Sequence, residues 1–231
     1  MRRARTIAFY AVMFSAGLFY SLWGTLMRLV APRYLPGIAQ AWARVSLRAL
    51  RFFCGITIET ENPQYLPKGP AIIAAQHQSA LDIFIWLTFV PYPALVFKQE
   101  LRKIPIFGPL LAPTGMIPVN RGGKAIALRK MLEDCRKSLA AGRQVVIFPE
   151  GTRTAPGTRA VLQPGIAALA KAASVPIIPV ATNSGTHWGP RAFAKSPGSV
   201  VVKLFPPLLP KLDRSEVMAQ LAADFYDHGV D

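Results

Sequence analysis

Carboxylates are scarce in this chain. Twelve Asp and Glu stand against 27 Lys and Arg in 231 residues, a formal net charge of +15, so each acid that is present carries information. The first is Glu59. Ahead of it stand Arg2, Arg3, Arg5, Arg28, Arg33, Arg44, Arg48 and Arg51, and from 62 to 212 the only acids are Asp82, Glu100, Glu133, Asp134 and Glu150. Cysteine is scarcer still. Cys54 and Cys135 lie far apart and form neither a disulfide framework nor a zinc pattern, so a reducing compartment is the natural setting. The three histidines, His77, His187 and His228, are scattered, and no metal site is expected. There is no internal repeat, no low-complexity tract and no G-x-S-x-G elbow.

What the chain has is apolar surface. Hydrophobic residues make up 52% and charged ones 17%, a balance that points toward a lipid environment. The length suits one domain, or one domain plus an appendage. The positive excess fits an anionic membrane surface, a phosphorylated substrate or nucleic acid equally well. The basic residues are dispersed, however, and no nucleic-acid motif occurs, so no nucleic-acid partner is expected. Residues 6–27 (TIAFYAVMFSAGLFYSLWGTLM) carry no charge, long enough at about 1.5 Å per residue to cross a bilayer core of about 30 Å. The run is longer than a signal-peptide core and ends at Arg28 rather than at a cleavage site. Residues 39–54 (AQAWARVSLRALRFFC) read as an amphipathic helix, with Arg44, Arg48 and Arg51 on one face. Basic residues flank the first run on both sides, which makes a simple span awkward. We read residues 1–54 as two helices embedded in one leaflet, with an ordinary span followed by a core helix as the alternative.

Residues 55–231 read as the catalytic domain. Short apolar runs at 56–60, 70–75, 94–98, 115–119, 144–148, 176–180 and 199–205 read as strands, and 79–89, 123–141, 164–173 and 215–227 as helices, with Gly142 a stop and Ser215 a cap. Strand–helix alternation implies an α/β fold, a sheet layered with helices.

Three segments carry chemistry. In 76–82 (QHQSALD), His77 and Asp82 can meet if His77 lies on a loop and Asp82 in the first helical turn; the pair also reads as a capping box on Ser79 beside a loop histidine. In 148–153 (FPEGTR), Glu150, Gly151, Thr152 and Arg153 follow a buried strand, where α/β proteins place ligands. The planar fork of Arg153 suits a phosphate, although a surface turn with a local Glu–Arg pair reads as well. In 115–123 (GMIPVNRGG), a strand leads through Arg121 to a helix start, a weak anion site. Lys98 ends a strand and is a further, weaker candidate for phosphate or donor contact.

Together these segments resemble the glycerolipid acyltransferase family. His77 and Asp82 match its histidine-x4-aspartate motif, and 115–121 its second motif, which ends in a phosphate-binding arginine. FPEGTR is its third motif unchanged, and 175–180 (VPIIPV) its hydrophobic fourth. Gln76 stands where asparagine is common, and 162–165 (LQPG) lacks the lysine pair frequent after the third motif. The resemblance implies a mixed, mostly parallel sheet flanked by helices, with an N-terminal membrane-embedded two-helix motif. It implies an acyl chain passed from acyl-CoA or acyl carrier protein to the sn-2 hydroxyl of lysophosphatidic acid, giving phosphatidic acid. His77 would be the general base, Asp82 its orienting partner, and Arg121 and Arg153 the phosphate ligands. Glu150 would accept from acceptor hydroxyls or orient Arg153. The donor is a co-substrate, and no cofactor or metal is expected. The setting implied is the inner membrane, with the catalytic domain facing the cytoplasm and anionic lipids as partners. Alternatives are another lysolipid acceptor, such as lyso-ornithine lipid, or a basic membrane-binding protein without catalysis.

Overall fold

The computed structural model describes residues 2–120, 122, 124–209 and 212–230. Its centre is β2 (Ala71–Ala75), buried at every position, as a strand covered on both faces must be. Period-2 alternation splits its side chains: Ala71, Ile73 and Ala75 enter one apolar core, Ile72 and Ala74 the other. On one side of β2 lies β5 (Gln144–Ile147), then β3 (Pro93–Lys98) and β4 (Ile117–Val119). On the other lie β6 (Ile177–Thr182), β7 (Gly198–Leu204) and β1 (Ile56–Glu61). All neighbours pair parallel except β6 with β7, so the sheet is mixed and mostly parallel. Because β2, β5, β3 and β4 run the same way, their C-terminal ends share one edge. There the chain delivers His77, the 148–153 turn, Lys98 and Asn120.

One face is covered by α1 (Arg2–Val30), α2 (Leu35–Ala49) and α3 (Leu81–Phe89). The other is covered by α5 (Lys124–Ala140), α6 (Gly165–Ala173) and α8 (Arg214–Tyr226), while α4 (Gly108–Leu111) and α7 (Ser184–His187) are single turns. The α5 stop is a Schellman motif. Gly142 takes φ +78°, its N–H donates to Leu139 O, and the Arg143 N–H donates to Ser138 O. The cap of α8 is Asp213 rather than Ser215. Asp213 and Glu216 form a reciprocal capping box, which satisfies two helix-end donors where a lone serine satisfies one; Ser215 donates to Asp213 instead.

The second N-terminal helix begins at Leu35, four residues before 39, directly after a 3-10 turn at Pro32–Tyr34, and relaxes into a π-helical turn at Leu50–Cys54. Pro36 sits in its first turn, where the missing N–H costs nothing. Phe9, Met13, Ala43, Ala49 and Leu50 join the core beside the sheet, so residues 2–54 pack on the α/β unit rather than apart from it. Among the described residues α1 alone is long and apolar enough to cross a membrane. Phe14, Leu18, Phe19, Leu22, Trp23, Leu26 and Leu29 are exposed along it.

Candidate active site

The loop after β2 is held from every side. Gln76 continues the strand by donating its N–H to Val180 O at 2.9 Å. Its side-chain carbonyl accepts from Thr182 N (3.0 Å) and its amide donates to Phe225 O (3.1 Å). Gln78 accepts from Gly185 N at 3.1 Å. Between these two buried glutamines His77 is half-buried. Its backbone N–H donates to Glu150 Oε2 at 2.6 Å, and its carbonyl accepts from Thr154 N at 2.8 Å.

The imidazole stacks on Phe148 with ring centroids 4.0 Å apart, and Nδ1 lies 2.9 Å from Asp82 Oδ2. The same Oδ2 accepts the N–H groups of Gln78 and Ser79, each at 2.9 Å, and these bonds offset the burial of a carboxylate only 2% exposed. One oxygen thus holds the two N–H groups just ahead of α3 and faces the ring. A carboxylate only accepts, so Nδ1 carries the proton and the lone pair falls on Nε2. No described residue bonds Nε2, which leaves the ring able to take a proton from a bound hydroxyl.

Glu150, 6% exposed, turns inward. Oε2 takes the His77 N–H, while Oε1 takes the hydroxyls of Thr154 (2.9 Å) and Tyr226 (3.2 Å). Burial pushes its carboxyl above the usual carboxylate range, opposed by these three hydrogen bonds. No described bond joins it to Arg153; its partner is the backbone of the histidine. Gly151 takes φ +71° and donates its N–H to Phe148 O at 3.0 Å, so its glycine serves the turn that aims Glu150 inward. Thr152 and Arg153 are exposed beyond that turn. Lys98 is exposed and lies 3.7 Å from Glu100. Arg121 lies outside the described residues; next to it, Asn120 Oδ1 accepts from Gly122 N at 3.0 Å.

Two cavities lie near this edge, neither lined by His77 itself. An open cleft of about 560 Å³ is lined by Asn120, Leu128, Phe148, Glu150, Gly151 and Thr152, among others. On the opposite face an almost wholly apolar cavity of about 150 Å³ runs between α1, α2 and α3, walled by Tyr20, Trp42, Ile83, Phe97, Phe107 and Leu110 among others. Ile83 is the residue after Asp82.

Tyr226 and Thr154 are the contributors that sequence reading missed. Tyr226 sits 76 positions from Glu150, in a helix whose pattern marks only its core face; Thr154 directly follows FPEGTR. His187 Nδ1 lies 3.1 Å from Ser196 O, a loop contact, and His228 is exposed. Both cysteines are buried, and burial pushes the Cys135 thiol up to about 12, which makes it a poor nucleophile. Among the described residues no three His, Cys, Asp or Glu cluster to hold a metal.

Residues 57–183 match the family model described as Acyltransferase. A Pseudomonas aeruginosa protein named 1-acyl-sn-glycerol-3-phosphate acyltransferase is 33% identical over 94% of this chain and 85% of its own length. A Saccharomyces cerevisiae protein of the same name is 29% identical over 82% of this chain and 64% of its own length. The crystal structure of the 1-acyl-sn-glycerophosphate acyltransferase PlsC from Thermotoga maritima superposes with a TM-score of 0.77, covering 99% of this chain and 96% of that one. At 24% identity that likeness establishes the fold.

Proposed function

The chain belongs to the acyltransferase family, and from that premise we propose that it esterifies the sn-2 hydroxyl of a 1-acyl-glycerol 3-phosphate from a thioester donor, with His77 as general base. The observation that carries the proposal is the 2.9 Å contact of Asp82 Oδ2 with His77 Nδ1, at the strand edge where the cleft opens.

Nε2 takes the hydroxyl proton as the oxygen attacks the thioester carbonyl. Asp82 holds the productive tautomer and balances the imidazolium that forms. Collapse of the tetrahedral intermediate breaks the carbon–sulfur bond, and the imidazolium returns its proton to the departing thiolate. The nucleophile is the substrate's own hydroxyl, so no acyl-enzyme is required. General-base help contributes about 10²–10⁴-fold, and positioning of the two substrates most of the rest.

Arg153 and Lys98, both exposed near the cleft edge, suit the acceptor phosphate. Arg121 joins them on the sequence pattern alone. Gly151 and Thr152 line the cleft, and the apolar cavity suits an acyl chain. Either acyl-CoA or an acidic acyl carrier protein fits the +15 surface. Residues 1–54 attach residues 55–231 to anionic lipid at the cytoplasmic face of the inner membrane. Assaying the purified protein in detergent against a lysolipid panel with both donors tests the reading. Phosphatidic acid formation, lost in His77→Ala, is expected; release of free fatty acid without acceptor acylation would overturn it.

A further inference from the structure

The segment between β3 and α4, residues 99–107, has no role in the chemistry above, yet its composition is that of an interface. Leu101, Ile104 and Ile106 are 40%, 43% and 42% exposed, large apolar side chains set beside exposed Arg102 and Lys103. Its one acid, Glu100, is paired with Lys98, so the local charge is positive. The backbone is forced to present these residues. Ile106 takes φ +66°, and the Phe107 N–H donates to Pro105 O at 2.7 Å, which closes a γ-turn of the strained kind around a β-branched residue. The turn sends Phe107 inward against Trp42, ring centroids 5.7 Å apart, while Ile104 and Ile106 stay outside. Strain of this sort persists where surrounding structure holds it for a purpose.

The segment is also continuous with the exposed side of α1. Leu101 and Phe107 wall the apolar cavity together with Tyr20, Ser21 and Gly24 of α1, and Arg28 donates to Pro109 O at 3.5 Å, two residues beyond the segment. We propose that residues 99–107 form a second membrane-inserting lip, whose Leu101, Ile104 and Ile106 enter the acyl region while Arg102 and Lys103 bind anionic headgroups. The lip and α1 then enclose the cavity between them on the bilayer side, so an acyl chain passes into it without crossing water. The inference rests on the membrane attachment through α1 proposed above, and its test reads helix and lip separately.

Both native cysteines are buried, so an environment-sensitive fluorophore goes selectively to Ile104→Cys, to Leu22→Cys on α1, and to Lys68→Cys on the opposite sheet edge as a water-exposed reference. The labelled full chains are mixed with vesicles of phosphatidylglycerol and phosphatidylethanolamine carrying lipid-borne quenchers. Blue-shifted, quenched emission is expected at 104 and at 22 and not at 68. In Arg102→Gln/Lys103→Gln, partition of the lip label should weaken by about 30-fold, two basic contacts converted to an equilibrium ratio. A label at 104 as unquenched as that at 68, with 22 quenched, overturns the lip and leaves the attachment standing. Unquenched labels at both 104 and 22 overturn both.

Discussion

Glu150 illustrates how a motif residue acts through the backbone. Its carboxylate joins the His77 N–H to the hydroxyls of Thr154 and Tyr226, so it places the ring without touching it. Glu150→Ala leaves a buried N–H unpaired, at a cost of about 1–3 kcal/mol, and lets the imidazole drift; a misplacement of about 1 Å costs roughly 10²-fold in rate. We expect kcat to fall by that order with KM little changed. Glu150→Gln should retain most activity, because the amide oxygen can face the His77 N–H while its NH₂ donates to the two hydroxyl oxygens. Steady-state kinetics of the pair separate hydrogen-bond geometry from charge, and equal losses would show that the charge is what matters. Tyr226→Phe, which also strips the acceptor of the Ala160 N–H, should lower thermal stability and kcat together. The His77–Asp82 pairing was legible in the sequence because a five-residue spacing across a loop–helix junction is local. The Glu150–Tyr226 bond was not, because the tertiary fold alone brings α8 to the 148–153 turn.

Elements long enough to carry a period were legible, with ends shifted by a few residues: β2, β5, α5 and α6 all lie within the runs that predict them, and α8 begins one residue ahead of its run. The single turns α4 and α7 offer no period to read, and strand 115–119 shortens to Ile117–Val119 because Gly115, at φ +85°, and Met116 spend their N–H groups on Ala112 O and Leu111 O in the turn after α4. Least legible was the clamp on α1. Lys195, two residues before Pro197, looks like any loop lysine, yet it is 2% exposed. Its Nζ donates to Tyr10 Oη (2.8 Å), Ala192 O (2.9 Å) and Phe193 O (2.7 Å), and lies 4.5 Å from the Trp188 ring centroid. Lys195→Met strands those acceptors and should destabilise the docking of α1 by about 1–3 kcal/mol, seen as faster proteolysis near the N-terminus. Burial pulls the Lys195 ammonium from 10.5 down to about 8. Between those values the unfolded chain holds the proton and the folded chain has released it, so folding stability gains as pH rises. The stability difference between wild type and Lys195→Met should therefore be flat below about pH 8 and grow from there to about 10.5. A difference that shrinks across this window would contradict the buried ammonium.

On the scale of the whole molecule, the clamp bears on how the chain meets the bilayer. Near its start α1 is tied to the α/β unit: Thr6 Oγ1 accepts from Lys195 N, Tyr10 from Lys195 Nζ, and Phe9 packs edge-on against Trp188 at 5.4 Å. Near its end it is tied again, with Gly24 lining the cavity beside Leu110 and Arg28 donating to Pro109 O. Tyr10 and Gly24 are separated by about 21 Å along the helix axis. If α1 crossed a hydrocarbon core of about 30 Å, the domain holding both points would have to sink most of that distance into lipid, with its polar loops and strand ends. A helix lying along the membrane surface keeps both ties and still buries Phe14, Leu18, Leu22 and Leu26 in one leaflet. The arginines flanking 6–27 then stay in the headgroup zone on the same side. A thiol introduced at Arg3 should thus react with a membrane-impermeant reagent in inside-out vesicles and stay silent in right-side-out ones, with Lys68→Cys behaving alike. Labelling of position 3 from the side opposite to position 68 would require α1 to leave the domain and span.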